Sequence, residues 1–286
     1  MHRYSYYKTA ACTLNVSIGD PQANKDEILK CIQELDSDTQ LVVFPELCIT
    51  GYTCQDLFYE HTLLNSAKQV LFEIVEELPE NLVTVLGLPL EIENKLYNCA
   101  AICFNHDILG IQVKTYIPSY NEFYETRWFS SASELKENTT FTYKGKKVPV
   151  SNHIVFKDTT TSACLGIEIC EDLWVTIPVS STHALAGANV LCNLSASNEI
   201  ISKANYRRNL VKDQSAKCYA GYIYASAGPT ESSSDLVFSG HNLICENGAI
   251  LSETKTDKII YGQIDLDHLN HDRLHYKTSM QDLFHV

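Results

Sequence analysis

The sequence reads Ala163-Cys164-Leu165-Gly166-Ile167-Glu168-Ile169-Cys170-Glu171-Asp172-Leu173-Trp174 at the stretch that decides the fold. Apolar side chains occupy every second position as far as Ile169, which is the period of a β-strand, and the pattern breaks at Glu171-Asp172. Cys170 is therefore predicted to lie where a buried strand ends and a polar turn begins. Enzymes of alternating strands and helices hold nucleophiles at such positions, because the strand fixes the backbone while the turn exposes the side chain. Core packing is the alternative for any single cysteine, since the chain has 11 and cysteine is among the most buried residue types.

The length and composition predict a single domain over residues 1–286. A chain of this length with 45% hydrophobic residues can bury one large core. The net charge of −13 argues against nucleic acid as a partner, because phosphate backbones are bound by clustered basic residues. The longest apolar runs are far shorter than the roughly 20 residues that span a bilayer, and the N-terminus lacks a signal-peptide core. We therefore expect a cytoplasmic protein that binds neither nucleic acid nor a membrane.

The 11 cysteines form no C-x-x-C pair, and the closest two are Cys99 and Cys103. Zinc ribbons and thioredoxin-type sites need the shorter spacing, and disulfide frameworks belong to short secreted chains. Most of these thiols are therefore expected to be reduced and structural, and no metal site is expected.

Short apolar segments bounded by polar turns predict strands that alternate with helices. The expected strands lie at about 9–17, 41–44, 83–88, 98–104, 108–114, 163–169, 190–195, 222–227, 243–246, 249–253 and 259–265. The expected helices are one capped by Asn24 and others at about 56–78, 180–186 and 203–219. Residues 115–129 are predicted to form an ordered loop with a short helix, residues 130–149 a surface excursion, and the tail from Asp267 a helical or loose segment. Because hairpins accompany the helices, for example at Asn247-Gly248, the class is α/β with mixed sheets.

Helix 203–219 carries a run of basic residues, and we expect these side chains on its solvated face rather than in a binding role. They are Arg207, Arg208, Lys212 and Lys217.

Three chemically unlike residues, Glu46, Lys114 and Cys170, each follow a predicted apolar strand. In an α/β architecture such ends converge on one rim, which would bring a base, a cation and a thiol together. The carboxylate can take the thiol proton as sulfur attacks a carbonyl, and the ammonium can stabilise the oxyanion. Each residue alone has an ordinary structural explanation as a capping, surface or core side chain. Their joint occurrence predicts an active site.

Three motifs resemble the nitrilase superfamily of carbon-nitrogen hydrolases, and more narrowly the amino-terminal glutaminase domain of glutamine-dependent NAD synthetases. They are Phe44-Pro45-Glu46-Leu47 with Gly51-Tyr52, Lys114-Thr115-Tyr116-Ile117-Pro118 leading to Glu122-Phe123-Tyr124-Glu125, and Ile169-Cys170-Glu171-Asp172-Leu173-Trp174, supported by Asn193-Leu194-Ser195-Ala196-Ser197. The resemblance implies a four-layer α-β-β-α sandwich of two mixed sheets. It also implies a Glu-Lys-Cys triad, which falls on Glu46, Lys114 and Cys170.

The same resemblance implies further site residues. A second glutamate eight residues beyond the lysine falls on Glu122 and would orient the lysine or the attacking water. Substrate-binding positions fall on Tyr52, Tyr120, Glu171, Ser197 and Lys203, with Glu171 and Ser197 at the amino-acid end of glutamine. The chain departs from the family at Asn198, where proline is usual, and at Lys203, where arginine also occurs.

The resemblance implies L-glutamine as substrate, a synthetase domain as partner in the full-length enzyme, and a homo-oligomer. ATP, Mg and deamido-NAD would belong to that synthetase domain, whose Ser-Gly-Gly-x-Asp-Ser loop is not in this sequence; no cofactor is expected here. We therefore expect either a glutaminase portion, excised or truncated from such an enzyme, or a stand-alone amidase acting on another small amide. A non-catalytic protein that kept the fold as a binding surface is a third interpretation.

Overall fold

Fourteen strands form two mixed β-sheets in the computed structural model of the protein, which describes residues 5–276. In chain order the strands are β1 (Tyr6–Cys12), β2 (Leu41–Val43), β3 (Val83–Ile92), β4 (Lys95–Phe104), β5 (Asp107–Val113), β6 (Thr140–Tyr143), β7 (Lys146–Ser151), β8 (Val155–Lys157), β9 (Cys164–Ile169), β10 (Val190–Ser195), β11 (Gly221–Ser226), β12 (Asn242–Glu246), β13 (Ala249–Thr254) and β14 (Ile259–Asp265). The first sheet has the order β14-β1-β2-β3-β4-β5-β7-β6, and the second has the order β13-β12-β11-β10-β9-β8.

Within the described residues, five α-helices cover the outer faces of the two sheets or follow the last strand. They are α1 (Pro21–Gln33), α2 (His61–Glu77), α3 (Val179–Leu185), α4 (Lys203–Lys217) and α5 (Leu266–His275). Among residues 5–276, none of the helices has the length and apolar character needed to cross a membrane.

Three apolar layers hold these elements together. One layer lies between α1, α2 and the first sheet, a second lies between the two sheets, and a third lies between the second sheet and α4. Strands such as β2, β9 and β10 are buried along their whole length because both of their faces pack against another layer. The four-layer α-β-β-α sandwich implied by the resemblance is confirmed.

The direction of the strands places the polar turns that follow them. β1, β2 and β3 are parallel, and so are β9, β10 and β11. β5 runs in the direction of β3, because each is antiparallel to β4. The segments that follow β2 and β5 therefore leave the first sheet at the same edge, and those that follow β9 and β10 leave the second sheet at one edge. In α/β proteins, ligands bind at such carboxyl ends of strands.

The structure differs from the expected elements at several positions. Asp20 caps α1, accepting a hydrogen bond from the Ala23 amide at 3.1 Å, whereas Asn24 lies inside the helix and its buried amide donates to backbone carbonyls. α2 begins at His61 rather than near residue 56, because the preceding residues form 3₁₀ turns broken at Gln55, where φ is 50°. The expected excursion at 130–149 contains the hairpin of β6 and β7, which extends the first sheet.

The first strand ends at Cys12, where its pairing with β14 ends, rather than at residue 17. The predicted mirror-type turn between β12 and β13 is confirmed, since Asn247 and Gly248 both have positive φ. The expected helical tail is α5 as far as His275; the part of that prediction from residue 277 onward lies outside the described residues.

Candidate active site

Glu46 lies in the turn that follows β2, and its carboxylate is almost completely buried. The backbone of this turn packs directly on β3. A Cβ at Gly87 would lie 2.4 Å from the Leu47 nitrogen and 2.6 Å from the Pro45 oxygen, so only glycine fits there. The close approach of β3 therefore fixes the position of Glu46.

Lys114 follows β5 and is completely buried. Its Nζ lies 2.6 Å from Oε1 of Glu46 and 2.9 and 2.8 Å from the two carboxylate oxygens of Glu125. Burial alone would lower the pKa of Lys114, but Glu125 and Glu46 together raise it well above its usual value. The lysine is therefore an ammonium at neutral pH, with its charge compensated on two sides.

Cys170 follows β9 and adopts a left-handed backbone conformation, with φ of 44°. Only a few per cent of non-glycine residues adopt positive φ, and such strained conformations concentrate at functional sites. Burial raises the pKa of the thiol, the negative charge of Glu46 raises it further, and Lys114 opposes this. The sulfur is therefore a thiol at neutral pH, and it lies near enough to Glu46 and Lys114 for both charges to shift its pKa.

The second carboxylate on Lys114 is Glu125, not the predicted Glu122. Glu125 is buried and contacts Nζ through both oxygens, whereas the half-buried Glu122 accepts a hydrogen bond from the Asn198 side chain. The loop turns at Asn121, where φ is 50°, so a linear spacing of eight residues does not reach the lysine. Glu122 therefore does not orient Lys114, and its alternative role of orienting the attacking water stays a prediction.

Two of the predicted substrate-binding tyrosines contact carboxylates of the site. The Tyr52 hydroxyl donates to Oε1 of Glu125 at 2.7 Å, which holds Glu125 against Lys114. The Tyr120 hydroxyl lies 3.0 and 2.9 Å from the two carboxylate oxygens of Glu171. Tyr120 is 49% exposed and Glu171 is half-buried, so this pair lies at the mouth of the site.

Ser197 and Lys203 lie in the segment that joins β10 to α4 and at the start of α4. Ser197 is buried, and its Oγ accepts hydrogen bonds from the Arg207 guanidinium at 3.3 and 3.0 Å. The Lys203 ammonium lies near the Phe123 and Trp174 rings and donates to the Asn198 side chain. Burial lowers the pKa of Lys203.

Arg207 was expected on the solvated face of the helix, and this expectation is wrong. Its side chain is completely buried at the start of α4 and also contacts Nδ1 of His241, at 2.8 Å, and the carbonyl of Asn198, at 2.9 Å. Helix α4 begins against the segment after β10, so this position faces the strand ends rather than water.

Asp172 joins the cysteine turn to the lysine loop. Its carboxylate is fully buried and accepts hydrogen bonds from the backbone amides of Thr115 and Tyr116, at 3.0 and 2.9 Å, and of Ile169, at 3.1 Å. One side chain therefore fixes the strand end before Cys170 relative to the residues after Lys114.

Sequence reasoning did not assign roles to Glu125, Asp172 or Arg207. Glu125 and Asp172 lie inside the motifs quoted above, and those motifs could have marked them as residues of the site. No pattern in the sequence indicates that Arg207 is buried. No group of three or more metal-binding side chains within residues 5–276 could hold a metal ion.

Comparisons with known proteins agree with this geometry. The family model for carbon-nitrogen hydrolases matches residues 8–273. The glutamine-dependent NAD(+) synthetase of Mycobacterium tuberculosis is 38% identical over 257 residues, which cover 89% of this chain and 38% of that protein. The human protein of the same name is 30% identical over 255 residues, covering 85% of this chain and 35% of that protein.

Solved structures give the same result. The crystal structure of a glutamine-dependent NAD(+) synthetase from Cytophaga hutchinsonii matches with a TM-score of 0.80 and 29% identity, over 91% of this chain and 43% of that one. A nitrilase-superfamily member from Saccharomyces cerevisiae shares the fold, with a TM-score of 0.75 and 20% identity over 98% and 97% of the two chains. The chain spans less than half the length of the NAD synthetases that it matches. On the family match and the fold, this chain belongs to the carbon-nitrogen hydrolase family.

Proposed function

We propose that this chain hydrolyses the side-chain amide of L-glutamine through a thioester on Cys170. The observation that carries the proposal is the buried contact of 2.6 Å between Glu46 and Lys114 beside the Cys170 turn. It occurs in a chain that is 38% identical to glutamine-dependent NAD(+) synthetases. Glu46 is the proposed general base, Lys114 the proposed oxyanion-stabilising cation and Cys170 the proposed nucleophile.

The proposed reaction has two halves. Glu46 takes the thiol proton as Sγ attacks the amide carbon, and the Lys114 ammonium and a backbone N–H after Cys170 stabilise the oxyanion. The carbon-nitrogen bond then breaks, and the proton held by Glu46 goes to the leaving nitrogen, so that ammonia departs and a thioester remains. Water attacks the thioester, with Glu46 again as base, and glutamate leaves while the thiol is restored. Loss of one oxyanion donor typically raises the barrier by roughly 3 to 4 kcal/mol.

The side chains at the mouth support an α-amino acid amide as substrate. Glu171 offers a negative charge and Lys203 a positive one, which suits a ligand that carries both an ammonium and a carboxylate group. Ser197 supplies a hydroxyl that is held by Arg207, and Tyr52 and Tyr120 contact carboxylates of the proposed pocket. Glutamine and asparagine both combine these groups with the carboxamide that the proposed triad requires, and the names of the relatives favour glutamine.

We further propose that the released ammonia serves the amidation of deamido-NAD by a synthetase portion, to which ATP and Mg would belong. The names of the relatives support this proposal, and so does the fraction of their length that the chain covers. The cytoplasm is the proposed location, because all eleven cysteines are buried free thiols, as expected in a reducing compartment.

The test is ammonia release from glutamine by wild type, Cys170→Ala and Cys164→Ala. Cys164 begins the same strand and belongs to a different apolar layer, so it is a matched control for the loss of a buried thiol. We expect no turnover in Cys170→Ala and near-normal turnover in Cys164→Ala. Full turnover in a folded Cys170→Ala would contradict the proposal.

A panel of small amides distinguishes glutamine from the alternative of a stand-alone amidase. We expect glutamine to have the highest kcat/KM, and preference for another amide would favour that alternative. A diazo-ketone analogue of glutamine should add one label to Cys170, detected by peptide mass, which would rule out a non-catalytic protein.

A further inference from the structure

The Glu46 carboxylate is bound by three donors among the described residues, and they are unequally divided between its oxygens. Oε1 accepts from Nδ2 of Asn98 at 2.7 Å and from Nζ of Lys114 at 2.6 Å, whereas Oε2 accepts only from the Ala196 amide, at 2.8 Å. A carboxylate has about four lone-pair positions, two on each oxygen. Both positions on Oε1 are therefore occupied, and one position on Oε2 is left.

Asn98 makes this division. It lies on β4, is completely buried, and its backbone carbonyl accepts from the Lys114 amide at 2.9 Å. The same residue therefore fixes the backbone of Lys114 and holds one oxygen of Glu46 through its side chain. No other carboxamide side chain within residues 5–276 donates to Glu46.

The carboxamide of Asn98 can face Glu46 in only one orientation, because its oxygen would repel the carboxylate. With Nδ2 on Glu46, Oδ1 is buried and no donor within the described part of the chain reaches it. Buried polar atoms are ordinarily paired, and an exception needs an explanation. A contact between Nδ2 of Asn98 and Glu46 that matters to the reaction would explain why Oδ1 is left unpaired.

We propose that Asn98 is a positioning residue that occupies Oε1 of Glu46 together with Lys114, so that the Cys170 proton is transferred to Oε2. The S–H bond breaks and the O–H bond forms on the remaining lone pair of Oε2, and the same oxygen returns the proton to the leaving nitrogen. The inference rests on the proposed roles of Glu46 and Cys170. Without Asn98, Oε1 has an open position, and the ionised carboxylate has one fewer donor.

Two variants test this inference. Asn98→Leu removes the donor at similar volume, and Asn98→Asp keeps the shape but donates to Oε1 only when the new carboxyl is protonated. Gln112→Leu is the matched control, because Gln112 is a buried carboxamide on the neighbouring strand β5, also with an unpaired oxygen, and it makes no contact with Glu46. Circular dichroism and thermal unfolding establish that each variant is folded.

The first readout is kcat/KM for glutamine against pH. We expect Asn98→Leu to lower kcat/KM by roughly 10- to 100-fold and to move its acidic limb to higher pH, because an ionised carboxylate that loses a donor is less well stabilised. Asn98→Asp should lose activity relative to wild type progressively as pH rises. Gln112→Leu should keep the wild-type limb. A folded Asn98→Leu with lower activity but an unshifted limb would overturn the inference.

The second readout is alkylation of Cys170 by iodoacetamide against pH, followed by peptide mass, with Glu46→Gln as the reference. It depends on deprotonation of the thiol and not on glutamine as substrate, so it separates failure of this inference from failure of the proposed function. We expect the Asn98→Leu profile to lie between those of wild type and Glu46→Gln. If Asn98→Leu does not fold, the Asn98→Asp profile decides, and a wild-type profile in that variant would overturn the inference.

Discussion

Glu125 binds Lys114 through both carboxylate oxygens, 2.9 and 2.8 Å from Nζ, in a site where both side chains are almost completely inaccessible to water. With Glu46, the cluster holds two carboxylates and one ammonium, a net charge of −1. Transfer of the Cys170 proton to Glu46 neutralises one carboxylate as negative charge develops on the substrate oxygen. The proposed chemistry therefore moves one negative charge within a fixed set of dipoles instead of creating a second one, which is the condition for effective electrostatic stabilisation.

The role of Glu125 predicts different effects for two neighbouring glutamates. Glu125→Gln leaves Lys114 with one carboxylate partner instead of two and should lower kcat by roughly 100-fold or more, as loss of a preorganised charge in a dry site does. Glu122→Gln alters a half-buried side chain at the mouth and should act mainly on KM. Steady-state kinetics of both variants with glutamine measure how much of each effect falls on kcat and how much on KM. A larger loss of kcat in Glu122→Gln than in Glu125→Gln would contradict the assignment.

The buried thiols predict a loss of stability in alkali. Ten of the eleven cysteines have a pKa raised by burial, among them Cys48 and Cys245 with values of about 12. Above the unfolded thiol pKa of about 8.5, the unfolded chain loses these protons while the folded chain keeps them, so the free energy of unfolding falls as pH rises. The stabilisation is complete below about pH 8 and is lost above it, by up to about 1.4 kcal/mol per thiol per pH unit.

Guanidinium unfolding in the presence of a reductant, at pH 7, 8 and 10, measures this dependence. The unfolding midpoint should change little between pH 7 and 8 and fall clearly by pH 10. Cys192→Ala is the matched variant, because it removes one fully buried titrating group and should reduce the slope by about one proton. An equal midpoint at pH 8 and 10 would show that the thiols do not titrate differently on unfolding.

The strands, and the positions of Glu46, Lys114 and Cys170 just after strands, could be predicted from the sequence because they depend on local patterns. The apolar runs before Glu46, Lys114 and Cys170 mark strand ends, and such ends meet at a common edge in this class of fold. The partner of Lys114 could not be predicted in this way. Residues 115–129 have no period, and the left-handed turn at Asn121 decides that Glu125 rather than Glu122 faces the lysine.

Arg207 shows the second limit of sequence reasoning. A charged residue on a helix is assigned to water by default, and helix α4 has no strong apolar stripe to contradict this. Its buried side chain contacts Ser197 and Asn198, in the segment between β10 and α4, and His241, which precedes β12. Tertiary contacts of this kind determine which charge is buried.

The contact between the Glu46 turn and β3 predicts that Gly87→Ala is destabilising and lowers activity. The new Cβ would meet backbone atoms at 2.4 and 2.6 Å, and backbone cannot move aside as a side chain does. Overpacking of this kind costs about 1 to 3 kcal/mol, and a shift of the Glu46 turn should lower kcat as well.

Gly110→Ala is the control for Gly87→Ala. The atoms nearest to its Cβ would belong to side chains, which can move: the Phe156 ring at 2.8 Å and Ile154 at 3.8 Å. Thermal unfolding and glutamine turnover of both variants test the contact. Wild-type kcat in a folded Gly87→Ala would show that the turn tolerates displacement.

The buried guanidinium of Arg207 predicts that Arg207→Lys raises KM and destabilises the fold, although the charge is kept. A lysine ammonium cannot reproduce the fork that contacts Ser197 Oγ, the Asn198 carbonyl and His241 Nδ1, so buried acceptors lose their donors. We expect a loss of about 3 kcal/mol in the free energy of unfolding. The segment that carries Ser197 should also lose its fixed position at the mouth of the site, which is why KM should rise.

Arg208→Lys is the matched control at the next position. The Arg208 side chain is 36% exposed and pairs with Glu253, so this substitution should cost less than about 1 kcal/mol and leave KM unchanged. Equal effects of the two substitutions on denaturant midpoint and KM would mean that Arg207 is an ordinary helix-surface charge, because only a buried fork distinguishes the two arginines.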